Sequence, residues 1–401
     1  MASIDDRWNG ARTGPGRRWR VRYRTPAGES RSKSFDLRRD AEEFVTGLRV
    51  ALRDNAFVDP ARSKVTVGEM AEKWKAAKIN LKPSTRSRYI DVLDTHVLPR
   101  WERTPIARVE HEDVQAWIAE LVAAGQSPGS VRKIVGVLGG VLQLAVRSKR
   151  LTANPTVDLE LPAMQKAEKK YLTADQVEVL AAAAGAPAPG RPRRTTDAAL
   201  AQYTLVVYLL AYCGPRWSEL AALDVASVNL MRRRIRIHRA VVEVDGGLLA
   251  WGPPKNGEAR TLPIPKFLVD PLRDHMAGKA PTDLVFTSPE GGVLRNRNAR
   301  RAWFDRAAVL AGVQGLTPHE LRHTAASLAV STGANVKAVQ RMLGHKSAVV
   351  TLDTYADLFD DDLERVADRL DDLREAARVS QMCPSGQVVS LDGVDWTVVG
   401  Q

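Results

Sequence analysis

The hydrophobic period changes several times along the chain, and each change marks an element. From Trp19 to Arg24, aromatic or apolar residues alternate with arginine, the period of a half-buried strand. Pro26-Ala27-Gly28 makes a turn, and 31–35 alternates again. The pattern predicts a small sheet with one arginine-rich face, followed by a helix over 37–54. The period then becomes helical. Thr66 and Glu69 form a capping box before a helix through Trp74. Pro83-Ser84-Thr85 opens a second helix through Tyr89 and Leu93, and a third runs through Val114, Trp117, Ile118 and Leu121 to a stop near Gly125. A fourth, over 128–147, places Val131, Ile134, Val135, Leu138, Val141, Leu142 and Ala145 on one side.

Asn154-Pro155 breaks the helical pattern, and the lysine-rich 161–170 has no period, as in a linker. Thr173 and Gln176 form another capping box, and 185–194 is a basic Gly/Pro-rich loop. The apolar run up to Tyr212 reads as a buried helix that Gly214-Pro215 ends, with a new helix from about Trp217. Ile235, Ile237, Ala240 and Val242 then punctuate one basic strand, and Asp245-Gly246-Gly247 is a hairpin turn. Asn256-Gly257, a strong turn signal, puts Lys255 at a hairpin tip. Trp303 and Phe304 read as core. Thr317 as N-cap, Pro318 at the first helical position and Glu320 as partner in a capping box open a helix, and a later apolar run stops at Gly344.

The fold class is therefore mixed: a small N-terminal β-sheet plus helix, an all-α bundle, and an α+β domain. The boundaries fall at 1–64, 65–160, a linker at 161–170, 171–378, and a tail at 379–401.

Charge narrows the function. Lys plus Arg number 59 against 47 acids, a net +12 with pI near 9.8, which argues for a polyanionic partner but does not choose between DNA, RNA and an acidic protein. Two cysteines build no disulfide framework, and neither C-x-x-C nor H-E-x-x-H is present, so no metal or cofactor is expected. No signal peptide and no uninterrupted apolar stretch of membrane length is apparent, so a cytoplasmic protein with no membrane contact is expected.

The candidate chemistry lies in 317–355. His319 and Arg322 are three residues apart on one helix face near its start, a ready anion site. His345 follows Gly344, and Tyr355 comes ten residues later. Upstream, Arg216 sits at a junction of buried elements, where a guanidinium needs a partner. Either Glu219 simply neutralises it, or Glu219 orients it toward a phosphate. Each feature alone has a plain structural explanation: a solvated helix start, a helix stop, a core tyrosine.

Order and spacing separate the readings. G-x-R-x-x-E-L at 214–220, a lysine in a polar turn, H-x-L-R-H at 319–323, L-G-H at 343–345 and the tyrosine together resemble the tyrosine recombinases, most of all the phage-integrase branch, over about 171–370. That resemblance implies a site-specific recombinase of a phage or mobile element. Tyr355 would be the nucleophile and would form a 3′-phosphotyrosine. Arg216 and Arg322 would donate to the non-bridging oxygens, with His345 adding a hydrogen bond. His319, beside the nucleophile, would take its proton, and Lys255, in the minor groove, or a water near it, would protonate the leaving 5′ oxygen. Glu219 and His323 would be supporting, His323 pointing elsewhere on the helix.

The resemblance also implies that 1–64 reads accessory arm DNA, with Arg18, Arg20, Arg22 and Arg24 as contacts. The 65–160 bundle would be half of a clamp, with Lys82, Arg86, Arg132 and Lys133 toward DNA. The implied partners are double-stranded attachment sites, a homotetramer on DNA, and accessory DNA-bending or directionality proteins. Two alternatives stay open: a type IB topoisomerase-like relaxing enzyme, which the arm-like N-terminus opposes, and an inactive DNA-binding regulator, which the full residue set opposes. The acidic 357–375 should lie off DNA. The tail, two apolar runs around Asp392-Gly393, is either unstructured or docks on a neighbouring protomer.

Overall fold

The architecture comes from a computed structural model, which describes residues 2–11, 13–14, 16–26, 28–53, 57–58, 62–164, 170–187, 197–355, 367–368, 370–375 and 377–378. The chain divides into two compact units, residues 1–167 with 244–247, and residues 168–243 with 248–401. Most of the 185–194 loop, half of the 161–170 linker, most of the acidic segment and the whole 379–401 tail lie outside the described residues.

In the first unit, Trp19–Arg24 pairs antiparallel with Ser30–Phe35, and the helix Arg38–Arg53 follows. Val21 and Tyr23 turn inward onto Ala41, Val45 and Leu48. The alternation therefore places Arg20, Arg22 and Arg24 on the other face, as predicted. Two details depart from prediction. Ser3–Asp6 adds a third strand, paired with Trp19–Arg24. With Ile4 as its one apolar residue, it has no visible period, and its strand state comes from its neighbour. Moreover, Arg31 pairs with Tyr23 and Lys33 with Val21. Directly opposed residues share a face, so these two basic residues lie on the helix side, where Lys33 Nζ sits 4.8 Å from the Phe44 ring centre.

The helical bundle has its own core. Val67–Ala77, Pro83–Val92, His111–Ala123 and Pro128–Arg147 match the four predicted helices. Thr66 and Glu69 form the full reciprocal cap. All seven apolar residues predicted on one side of the fourth helix are buried. That helix has the length and, over its most apolar 18 residues, the mean hydropathy (1.4) of a membrane span, but Arg132 and Lys133 interrupt it, in keeping with the sequence reading. Its apolar side forms the bundle core against Val67, Met70, Trp74 and Trp117. Leu161, expected to begin the linker, packs against the same core.

The second unit surrounds one core. Helices Ala174–Gly185 and Asp197–Tyr208 pack together, the latter running on through Leu209–Cys213. The predicted single basic strand is two strands. Arg234–Ile237 lies between Val228–Asn229 and Arg260–Pro263 in one sheet, and Ala240–Val244 pairs with Leu248–Gly252 in another. The apolar positions step by two from Ile235 to Ile237 and from Ala240 to Val242 but by three between them, so the alternation slips phase at His238-Arg239, where one strand ends and the next begins. Lys255 is consequently not at a hairpin tip. It occupies the turn between Leu248–Gly252 and Arg260–Pro263, strands that belong to different sheets. The turn itself is as predicted, with Gly257 at φ +82° and its N–H bonded to the Pro254 carbonyl at 2.8 Å. Trp303 and Phe304 are core residues. The helices Glu320–Ser331, Val336–Leu343 and Ala348–Tyr355 follow.

Candidate active site

Arg216 is positioned by the end of a helix. The Gly214 N–H reaches five residues back to the Leu209 carbonyl (3.2 Å), and Gly214 adopts φ +67°. A Cβ there would meet Ala325 Cβ at 3.1 Å and Leu343 Cδ2 at 3.2 Å, so backbone and packing both require glycine. Pro215 prevents continuation, Arg216 is extended, and Trp217–Leu220 starts anew. Glu219 accepts from the Arg216 backbone N–H (2.8 Å) and from its Nη1 (2.9 Å).

A second guanidinium, absent from the sequence reading, holds the same carboxylate. Arg260 Nη1 and Nη2 donate to the two Glu219 oxygens at 2.8 and 2.6 Å. Burial pushes the Glu219 carboxyl up. The hydrogen bonds and charge of Arg260 foremost, then those of Arg216, outweigh it and hold the carboxyl at about 2.

Arg322 is 2% exposed. Its Nη1 donates to the Gly214 carbonyl (2.6 Å) and its Nη2 to the Leu343 carbonyl. Among the described residues it makes no ion pair. Burial, then Arg216 and Arg260, push its guanidinium down to about 9. Its helix begins later than predicted. Glu320 accepts from the Thr317 N–H (2.5 Å), half of a capping box, but His319 is the residue preceding the helix. Residues 317–319 form a turn closed by Glu320 N–H to the Thr317 carbonyl.

Tyr355 lies on the helix Ala348–Tyr355 and is buried. Its hydroxyl lies 2.8 Å from Nδ1 of His323, not beside His319. This corrects the expectation that His323 points elsewhere. Residues 322 and 323 do diverge around the helix, but Tyr355 arrives on the side of His323. The His319 ring is one turn away, 5.2 Å from that of His323. Burial pushes Tyr355 up to about 12, against the pull of Arg322. His345 stacks nearly parallel to Tyr355 at 6.3 Å, and its Nδ1 lies 3.0 Å from the Thr351 hydroxyl. Burial, then Arg322 and Arg216, depress His345 to about 4. His319 is lowered by burial, then by Arg322, Arg216 and Lys255, which places the Lys255 charge within reach of this cluster.

Gly344 ends Val336–Leu343 with φ +64°, and four side chains satisfy consecutive carbonyls there. Arg260 Nε bonds Met342, Arg322 bonds Leu343, Asn256 bonds Gly344 and Gln340 bonds His345. A helix C-terminus leaves such carbonyls without partners, and its negative end favours cations. An open cavity of about 840 Å³ lies alongside, lined by Arg216, Asn256, Arg260, Arg341, His345 and Lys346. Another of about 470 Å³ reaches Arg216 and His319 from the side of Trp217 and Leu249. Among the described residues no His, Cys, Asp and Glu cluster could hold a metal.

The remaining candidate residues are spread over the first unit. Lys82 precedes Pro83–Val92, with Arg86 exposed in its first turns. Arg132 and Lys133 are exposed on Pro128–Arg147, Arg132 also bonding the Pro162 carbonyl at 3.1 Å. Arg18 is tied to Asp6 (2.9 Å), and Arg22 to Asp5 (2.9 Å), which lies opposite Arg20, so the arginine face carries a carboxylate that its sequence period hid.

The sequence matches the Phage integrase family over residues 170–361 and the Phage integrase central domain over 67–161. It is 27% identical over 350 residues to a putative prophage phiRv2 integrase of Mycobacterium tuberculosis, covering 84% of this chain and 88% of that one. It is 30% identical to the tyrosine recombinase XerC of Corynebacterium efficiens, over 60% of this chain and 71% of that one. The fold resembles the Tn1549 transposon integrase solved with transposon right end DNA, with a TM-score of 0.62 at 21% identity over 76% of this chain and all of that one. Fold and relatives together define a site-specific tyrosine recombinase. The chain belongs to the phage integrase family, as its motifs predicted, and the relaxing-enzyme and inactive-regulator alternatives are not favoured.

Proposed function

We propose that the chain cuts and rejoins duplex DNA at attachment sites through a 3′-phosphotyrosine, integrating or excising a phage or mobile element. The observation that carries this is a charge imbalance. Arg216 and Arg322 lie in one cluster beside a tyrosine hydroxyl; the buried Glu219 is shared between Arg216 and Arg260, and Arg322 has no carboxylate partner among the described residues. A phosphodiester entering there supplies the missing anion, and it gains charge in the transition state, when preorganised donors count most.

The step balances as follows. Tyr355 Oη bonds to phosphorus while the bond from phosphorus to the 5′ oxygen breaks. His323 Nδ1, already at 2.8 Å, takes the tyrosine proton. Lys255 protonates the departing 5′ oxygen. His319 and His345, both held toward neutrality, donate hydrogen bonds to phosphate oxygens. For His345 this role needs the N–H on Nε2, with Nδ1 accepting from the Thr351 hydroxyl 3.0 Å away. The phosphotyrosine keeps the bond energy, so a 5′ hydroxyl from another duplex reverses the attack.

In this reading 1–64 binds arm DNA, and 65–160 with 171–378 grips the core site. Exchange between two duplexes cuts four strands, which calls for four protomers, helped by accessory DNA-bending or directionality proteins. The place of work is the nucleoid. Paired sites on one plasmid test the proposal: recombinant products are expected, and relaxed plasmid without recombinants would overturn it.

A further inference from the structure

Arg260 touches neither pole of the chemistry just described, yet it links the parts. It grips both oxygens of the fully buried Glu219, at 2.8 and 2.6 Å, the same two oxygens that Arg216 bonds. Its Nε donates to the Met342 carbonyl at 3.0 Å, at the turn that carries His345. The turn is fitted to it: a Cβ on Gly344 would lie 2.7 Å from Arg260 Cδ and 3.1 Å from Nε. Arg260 also begins the strand Arg260–Pro263, just after the Lys255 turn, and Asn256 of that turn bonds the Gly344 carbonyl. Thus one side chain, only 10% exposed, sets the carboxylate that orients Arg216, the helix end that orients His345, and the far anchor of the Lys255 turn.

We infer that Arg260 is a positioning residue for strand cleavage, fixing Glu219, and through it Arg216, against the His345 turn. It acts on the transition state and not on DNA affinity, because the groups it aligns meet the phosphate. Lysine cannot replace it. A single ammonium lacks the planar fork that holds two carboxylate oxygens while a third N–H reaches a carbonyl. This inference rests on the assignment of Arg216 to the phosphate.

The test uses the full chain and a nicked duplex carrying the sequence that wild-type protein traps covalently from randomised DNA. Arg260→Gln and Arg260→Lys are compared with Arg216→Ala and wild type, with thermal melts to confirm folding. Partners that orient a directly acting group typically contribute about 10- to 100-fold. A cleavage loss of about that size is expected for both Arg260 variants, with DNA affinity unchanged. Two readouts separate positioning from mere support. On a methylphosphonate at the scissile position, which lacks one charged oxygen, the deficits of Arg260→Gln and Arg216→Ala should both shrink. The acid limb of cleavage should also move to higher pH in Arg260→Gln, because Glu219 then loses its strongest partner and protonates sooner. An Arg260→Gln deficit equal on both substrates, or full activity in Arg260→Lys, overturns the inference. If Arg216→Ala cleaves the ordinary phosphodiester normally, the reading of the site itself fails.

Discussion

At the scale of single residues, the motifs carried most of the site. Arg216, Arg322, His345 and Tyr355 were legible because their order and spacing form a pattern. Arg260 and Thr351 were not. Their parts depend on contacts between distant segments, and in a chain rich in arginine one more basic residue carries no signal. His323 was legible as a residue but not in its direction, which depends on where another helix brings Tyr355. The two arginines should behave alike. Arg216→Ala and Arg322→Ala should each lose about 10²–10³ in cleavage rate, the usual effect of removing one preorganised donor, while site affinity stays nearly constant. Single-turnover cleavage with parallel binding measurements checks this, and a loss confined to affinity would make them binding residues only. The depressed histidines give a pH prediction. His345 falls from 6.5 in the unfolded chain to about 4 in the fold. Between those values the unfolded state binds more protons, so stability rises with pH across that window and is lost as pH falls. His345→Gln should flatten the profile in thermal melts taken between pH 4 and 6.5.

At the scale of elements, helices were read from sequence nearly to their ends, because their caps and apolar stripes are local. Strands were read less well. Pairing decides which sheet a segment joins, so 235–242 split in two, and Ser3–Asp6 gained its structure from a neighbour. The C-terminal end of Val336–Leu343 shows how elements and site coincide. Two of its last carbonyls are capped by Arg260 and Arg322, side chains of the candidate site, so helix and site should be lost together. Gly214 tests the same coupling. An alanine there must take φ +67° and press on Ala325 and Leu343. The cost should be about 2 kcal/mol, with a fall of several degrees in melting temperature and weaker cleavage from misplaced Arg216. An unchanged melt would show that the junction yields easily.

At the scale of the whole molecule, the two units carry separate cores, and the N-terminal sheet has a third. Removal of 1–64 should therefore leave folding and cleavage at the core site intact while integrative recombination collapses. Binding by the full chain should weaken steeply with added salt, as released counterions drive it. The salt slope should become shallower in the truncated chain, and an identical slope would remove 1–64 from DNA contact. The account as a whole turns on Tyr355. A nicked duplex carrying the trapped site, incubated with the protein and then denatured, should leave a covalent adduct in which the 3′ phosphate is joined to Tyr355. Tyr355→Phe should bind the same DNA equally well and form no adduct. An adduct that persists in Tyr355→Phe, or that maps to another residue or to a 5′ phosphate, would contradict it.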